Sequence, residues 1–242
     1  MNRTLTRWYS ERLHGDASLA RWGHWGRPVL LFPTAGGDAL EVERMGLLDS
    51  VGDLIEGGRV KVYSCDSVAG AAIVRKEGDA RHRGWILNAF HEYVRREVVP
   101  AVWADCGGVE VGMIATGASV GAFNALAMLC RYPDVFTHAV GMSGTYDLGT
   151  LIGGDGGEDL YLATPMFFVP GLGGAHLEQL RQRFAILASG EGRWEDIGHS
   201  WRLAEVLGSR GVHNRVDSWG AQWDHDWPTW RAMLPVYLRE LT

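Results

Sequence analysis

The pentapeptide Gly117-Ala118-Ser119-Val120-Gly121 constrains the fold of this chain more than any other segment. In residues 109–114, just before it, apolar residues first alternate with other residues and then follow one another, which is typical of a strand entering a parallel sheet. Residues 122–129, just after it, place apolar side chains on one helical face. A side chain at either glycine would collide with the neighbouring strand or helix. The pattern therefore predicts a strand, a sharp turn with Ser119 at its tip, and a helix.

A serine in this position is suited to nucleophilic chemistry. The pattern G-x-S-x-G between a strand and a helix is that of a nucleophile elbow. The helix N-terminus behind Ser119 also offers a positive dipole and free N–H groups to a developing anion. The alternative interpretation is a glycine-rich turn without chemistry.

Composition limits the class of protein. The chain has 242 residues, 46% hydrophobic and 21% charged, as expected for a soluble protein with one core. A net charge of −6 without a basic cluster argues against a nucleic-acid partner. No signal peptide is evident in residues 1–12, and no stretch approaches the roughly 20 apolar residues of a membrane span. Cys65, Cys106 and Cys130 lack metal-ligand spacing. We therefore expect a cytoplasmic protein without membrane contact.

Predicted strands and helices alternate along the chain, which favours a mostly parallel α/β sheet with helices on both faces. Residues 4–13 and 17–22 predict an edge hairpin with a turn at 14–16. Further strands are predicted at 29–32, 60–65, 138–142, 184–187 and 214–219, and helices at 39–55, 85–103, 200–207 and 227–241. Residues 145–182, in which glycine is frequent up to residue 174, predict an irregular excursion over the carboxyl edge of the sheet. The whole of 1–242 is predicted to be one domain.

A serine nucleophile needs a neighbouring base, and the base needs a carboxylate to hold it. Four histidines follow Ser119 at a suitable distance: His176, His199, His213 and His225. Only His225 falls in the loop between the last predicted strand and the last predicted helix, where the base of such a triad belongs. We therefore assign His225 as the base, the alternative being a surface histidine near a helix N-terminus.

The acid is less well defined by the sequence. The strand ending near residue 188 leads into a loop with three carboxylates, Glu191, Glu195 and Asp196. Glu195 is favoured because the glycine-containing turn must first carry the chain across toward His225. Asp196 fits equally well as a helix N-cap.

An oxyanion needs two backbone N–H donors. One is expected from Val120, the residue after the nucleophile. The other is expected from the loop at residues 33–37, where Pro33 has no N–H and Ala35 or Gly36 is the candidate. We assign Ala35, the alternative interpretation of this loop being a plain turn.

Several segments together resemble one family. These are residues 32–37, 117–121, 132–136 and 142–144, and His225-Asp226-Trp227-Pro228-Thr229-Trp230, which is similar to an H-x-W-x-x-W segment around a catalytic histidine. They resemble the putative-esterase family of α/β-hydrolases, which contains S-formylglutathione hydrolases, feruloyl esterases and mycolyltransferase-like acyltransferases. The resemblance implies the α/β-hydrolase fold, with Ser119 as nucleophile and His225 as base. It implies neither the acid nor the substrate.

The sequence thus predicts a serine ester hydrolase with the triad Ser119, Glu195 and His225 and the oxyanion donors Ala35 and Val120. Its partner would be a small-molecule or polymeric ester, with no metal or organic cofactor. Homo-oligomer formation stays open. Two alternatives are an acyltransferase with the same triad and a non-catalytic binding protein on a hydrolase fold.

Overall fold

The computed structural model describes residues 2–242, which are built around an eight-stranded sheet. Its strands are β1 (Arg3–Ser10), β2 (Gly15–Trp22), β3 (Arg27–Phe32), β4 (Val60–Cys65), β5 (Met113–Ala118), β6 (Phe136–Met142), β7 (Phe184–Ser189) and β8 (His213–Ser218). Their order across the sheet is β1-β2-β4-β3-β5-β6-β7-β8. The pairs β1–β2 and β2–β4 are antiparallel, and the other five pairs are parallel. The predicted mostly parallel sheet is confirmed, and so is the edge hairpin, although its turn is at residues 11–14 rather than 14–16.

Twelve α-helices flank the sheet in the described part of the chain. They are α1 (Glu41–Arg44), α2 (Gly52–Glu56), α3 (Val68–Val74), α4 (Ala80–Tyr93), α5 (Val99–Asp105), α6 (Val120–Arg131), α7 (Gly149–Ile152), α8 (Gly157–Ala163), α9 (Pro165–Phe168), α10 (Gly174–Arg181), α11 (Gly198–Ser209) and α12 (Trp227–Leu241). No helix of residues 2–242 is long and apolar enough to cross a membrane.

The two faces of the sheet carry separate apolar cores. On one face α1, α2 and α12 bury Val42, Leu54 and Leu234 against the strands. On the other face, α3 to α11 contribute to a second buried cluster, which includes Phe90 of α4 and Leu126 of α6. Burial on both faces explains why strands such as β3 and β5 are mostly apolar and buried along nearly their whole length rather than alternating.

The prediction of an irregular excursion at 145–182 is wrong. The segment is helical rather than irregular, since it contains α7 to α10, and its helices α7 to α9 pack beside α4, α6 and α11. Its glycines separate short helices, as at Gly153, which ends α7 in the left-handed conformation. A Cβ on Gly84 of α4 would lie 2.4 Å from the Gly156 carbonyl oxygen, so the segment approaches α4 too closely for a side chain at residue 84. Local propensity alone does not show such tertiary contacts.

Two predicted helices have different bounds in the structure. The helix at 39–55 is broken, because Gly46 turns the chain at φ +69° after α1, and a 3₁₀ turn at Asp49–Val51 precedes α2. The helix at 85–103 begins earlier, at α4, where Asp79 caps the His82 N–H, and continues through a π turn at Val94–Val98 into α5.

Candidate active site

Ser119 lies at the tip of a strained turn between β5 and α6. Its backbone has φ +56° and ψ −121°, a conformation that non-glycine residues rarely adopt. A Cβ on Gly117 would lie 2.6 Å from the backbone of Gly121, and one on Gly121 would lie 2.6 Å from the Phe32 and Pro33 carbonyl oxygens. Both glycines are therefore required by close backbone approach, as predicted. The geometry is that of a nucleophile elbow.

The side chains of Glu195 and His225 lie together at the carboxyl edge of the sheet. His225, between β8 and α12, places Nδ1 3.4 Å from Oε2 of Glu195, in the loop after β7. The His225 ring also meets the Trp230 ring edge to face, with centroids 5.2 Å apart. These contacts fix the ring orientation and leave Nε2 for another partner.

Glu195 is a buried carboxylate, with 1% of its side chain exposed. Its Oε1 accepts a hydrogen bond from the Ser143 hydroxyl, and its Oε2 lies 3.2 Å from the Ser189 hydroxyl. Among residues 2–242, His225 is the only basic side chain within ion-pair distance of Glu195. A buried charge is costly unless it is paired and hydrogen-bonded. Here Glu195 has both a basic partner and two hydroxyl partners.

Ser143, which the sequence analysis did not assign to the site, connects its parts. Its hydroxyl accepts a hydrogen bond from Trp230 Nε1 at 2.9 Å and donates to Glu195. The preceding residue, Met142, accepts the Ser119 N–H at 3.0 Å. Ser143 thus lies between the nucleophile turn and the acid–base pair. The signal available in the sequence was a polar residue at the carboxyl end of the strand beside β5.

The loops that carry Glu195 and His225 are bound to each other. Gly192 N–H donates to the Trp223 carbonyl at 2.9 Å, and His225 N–H donates to the Arg193 carbonyl at 3.0 Å. Asp224 accepts from the Arg193 backbone N–H at 2.7 Å and from Arg193 Nε at 2.8 Å. This loop contact, between residues 190–193 and 223–225, sets the position of Glu195 relative to His225.

The competing carboxylates lie elsewhere. Asp196 is exposed and accepts the Gly198 N–H at 2.9 Å, a contact that favours the start of α11. Glu191 accepts a hydrogen bond from the exposed Ser218 hydroxyl. Neither contacts His225 in the described residues. The structure therefore brings Glu195 to His225, as the sequence analysis favoured.

The other three histidines are engaged outside this cluster. His176 Nε2 lies 2.8 Å from the Cys130 carbonyl oxygen, at the end of α6. His213 begins β8, at the opposite end of the strand from the acid. His199 Nε2 lies 3.7 Å from Asp196, and burial lowers the pKa of its imidazole.

The loop after β3 is held in one shape by side chains behind it. Glu41 accepts hydrogen bonds from the Thr34 N–H at 2.7 Å and the Thr34 hydroxyl at 2.9 Å. Gly37 N–H donates to the Thr34 carbonyl at 3.2 Å, and Gly36 adopts φ +114°. Within residues 2–242 neither Ala35 nor Val120 has a protein acceptor for its N–H. Both amides thus have the free hydrogen that an oxyanion donor needs.

A family model described as "Putative esterase" matches residues 56–241, more than three quarters of the sequence. The chain belongs to this family. The match includes the nucleophile elbow, the acid loop and the final histidine segment, whereas the loop at 33–37 lies before it. Family membership supports an enzyme that hydrolyses esters, and it confirms the resemblance drawn from the sequence.

Solved structures of low identity share the fold of this putative esterase. A ferulic acid esterase matches with a TM-score of 0.74 at 13% identity, covering 100% of this chain and 97% of that one. MPT51 (FbpC1) of Mycobacterium tuberculosis matches with a TM-score of 0.75 at 18% identity, covering 100% and 98%. An S-formylglutathione hydrolase from Agrobacterium tumefaciens matches with a TM-score of 0.74 at 13% identity, covering 98% and 93%. The predicted α/β-hydrolase fold is confirmed. A comparison with curated protein sequences gave no match.

Proposed function

We propose that this putative esterase is a serine ester hydrolase that works through an acyl-enzyme. The observation that carries the proposal is the buried Glu195 against His225, linked through Ser143 to the strained Ser119 turn. Because Nδ1 of His225 faces the carboxylate, Nε2 is the nitrogen available to accept the Ser119 proton.

The reaction then follows in two halves. Ser119 Oγ attacks the ester carbonyl carbon as its proton moves to His225 Nε2, and the carbonyl oxygen becomes an oxyanion facing the Val120 and Ala35 N–H groups. The bond to the alcohol oxygen breaks and His225 returns the proton to that oxygen. Water attacks the acyl-enzyme in the same way and releases the free acid and Ser119.

Ser119 and His225 are not hydrogen-bonded to each other in the described residues. Contacts of this kind commonly tighten only when substrate binds. In the proposal, a bound ester closes this gap, while the acid–base pair is already assembled.

A labelling experiment tests the nucleophile. A fluorophosphonate probe should modify the wild-type protein at Ser119, and Ser119→Ala should abolish labelling and reduce ester turnover by several orders of magnitude. Ser209→Ala, at the end of α11, is the matched control and should be labelled like the wild type. Labelling that persists in Ser119→Ala would refute the assignment.

A further inference from the structure

A cavity of about 250 Å³ lies directly beside the proposed oxyanion loop. Gly36 and Gly37 of that loop form one wall. Asp66 and Ser67, which follow β4, also line it, together with Arg75 just after α3. Ser67 N–H donates to the Gly37 carbonyl at 2.9 Å, so this wall and the oxyanion loop are joined. A substrate with its carbonyl at Ala35 has this cavity next to it.

The acidic side chains around the cavity already have partners. Asp66 accepts the backbone N–H groups of Ser18 and Ala39, each at 2.9 Å. Asp38 pairs with Arg44 at 2.7 Å. A third carboxylate, Glu77, lies 3.5 Å from His82 Nε2. Asp66 and Asp38 thus have partners in the protein without any ligand, whereas the Glu77 contact is an ion pair only when His82 is protonated.

Arg75 differs from these residues. It lines the same cavity and is exposed, yet its guanidinium has no hydrogen bond or ion pair to any of residues 2–242. A guanidinium offers a planar set of donors that matches a carboxylate or a phosphate in a bidentate contact. The cavity thus presents an arginine without a protein partner, beside the loop at residues 33–37 that carries the proposed oxyanion donor.

We propose that Arg75 binds an anionic group, a carboxylate or phosphate, carried by the ester substrate at a distance from the bond that is cleaved. The inference rests on the proposed hydrolase function and names its substrate class as anionic esters. Arg75 acts here in binding and takes no part in the chemical steps.

Matched pairs of esters test the proposal. The first pair is mono-4-nitrophenyl glutarate and neutral 4-nitrophenyl butyrate, which differ in a carboxylate on the acyl side. The second set is 4-acetoxybenzoate, 4-acetoxyphenyl phosphate and neutral 4-acetoxybenzamide, which place the anion on the alcohol side and separate carboxylate from phosphate. The quantity compared is the ratio of kcat/KM for the anionic ester to that for its neutral partner.

Arg75→Gln should lower this ratio about tenfold in at least one set, mainly through KM, and the effect should shrink as salt is added. Lys76→Gln removes the same charge from the next residue, which does not line the cavity, and should leave the ratio unchanged. Glu77→Gln removes a negative charge from the cavity wall and should raise the ratio.

Equal ratios in Arg75→Gln and wild type for every set, or equal losses in Arg75→Gln and Lys76→Gln, would overturn the anion site. In that case Ser119-dependent cleavage of the neutral esters would still support the hydrolase. Absence of any Ser119-dependent cleavage would instead overturn the hydrolase itself, and the anion site with it.

Discussion

At the scale of single residues, Glu195 stands out because it is a buried carboxylate whose only basic neighbour in the described chain is His225. In the proposed mechanism, a carboxylate in this position fixes the imidazole tautomer and stabilises the imidazolium that forms when Ser119 gives up its proton. The hydroxyl groups of Ser143 and Ser189 donate hydrogen bonds to its two oxygens, one to each.

The first prediction concerns this acid. Glu195→Gln should keep the fold and reduce kcat by roughly 10³–10⁴. Asp196→Asn should cost on the order of 1 kcal/mol or less in the free energy of unfolding, with a modest loss of rate, because Asp196 acts at a helix start. Among the three variants, Glu191→Gln should show the smallest loss of kcat. Steady-state kinetics and urea unfolding of the three variants provide the measurement. A large loss of kcat in Asp196→Asn, together with a near-normal kcat in Glu195→Gln, would assign Asp196 as the acid instead.

The second prediction concerns Ser143 as a positioning residue. Ser143→Ala leaves both Glu195 Oε1 and Trp230 Nε1 without their shared partner, so the acid gains freedom to move away from His225. We expect kcat to fall by about tenfold or more with KM little changed, and stability to fall by about 1–3 kcal/mol.

Trp230→Phe is the matched variant for this prediction. It keeps an aromatic ring against His225 and removes only the N–H that donates to Ser143. Its kcat should lie between those of the wild type and Ser143→Ala. A Ser143→Ala protein with unchanged kcat, or a loss expressed only in KM, would contradict the positioning role.

At the scale of elements, the acid and base loops depend on glycines. A Cβ on Gly190 would lie 2.1 Å from the Trp223 carbonyl oxygen, and one on Gly192 would lie 2.6 Å from the same atom. Neither glycine has a positive φ, so the requirement is for close approach of two backbones rather than for an unusual conformation.

The third prediction follows from this approach. Gly190→Ala should push the loops apart, separate Glu195 from His225 and reduce kcat/KM by at least tenfold. Gly173→Ala is the matched control, since Gly173 also lacks a positive φ and a Cβ there would meet nothing within 4 Å. Ester kinetics and melting temperatures of both variants check the prediction. Equal activity in the two variants would show that the loop contact does not position the acid.

The sequence predicted the elements that depend on local chemistry. The Ser119 elbow is defined within five residues, and the bounds predicted for α12, at 227–241, agree with the structure. The choice between Glu195 and Asp196 is different, because it depends on how residues 190–193 bind residues 223–225, some thirty positions away. Likewise α7 to α10 are short helices stabilised by packing on α4 and α6, which periodicity does not reveal.

At the scale of the whole molecule, a polar group buried between helices α4 and α6 links stability to pH. His91 is fully buried, with Nε2 3.1 Å from Asn124 Oδ1 and Nδ1 3.2 Å from Arg131 Nη1. Burial, reinforced by the Arg131 charge, lowers the pKa of His91 to about 3. The imidazole is therefore neutral in the native protein at pH values where the unfolded chain protonates it.

The fourth prediction works out the sign. Below the unfolded pKa of about 6.5, the unfolded state binds a proton that native His91 does not, so stability falls as the pH decreases from there toward 3. Between pH 7 and pH 5 this one group should cost about 2 kcal/mol of unfolding free energy. A glutamine at position 91 can still hydrogen-bond to Asn124 and Arg131 but does not titrate. The unfolding free energy of His91→Gln should therefore decrease between pH 7 and pH 5 by about that much less than the wild type's. Urea denaturation at both pH values measures the difference, and parallel losses in the two proteins would contradict it.

The contact between residues 190–193 and 223–225 also has a kinetic consequence. The amide hydrogens of Gly192 and His225 each bond to the opposite loop, so neither can be released while the two loops stay together. In deuterated solvent both should report the same opening free energy, set by a single opening event. The Ser119 N–H instead donates to the Met142 carbonyl of β6, so its exchange should require the slower opening of the sheet. The loops of Glu195 and His225 would then separate from each other before the turn at Ser119 opens.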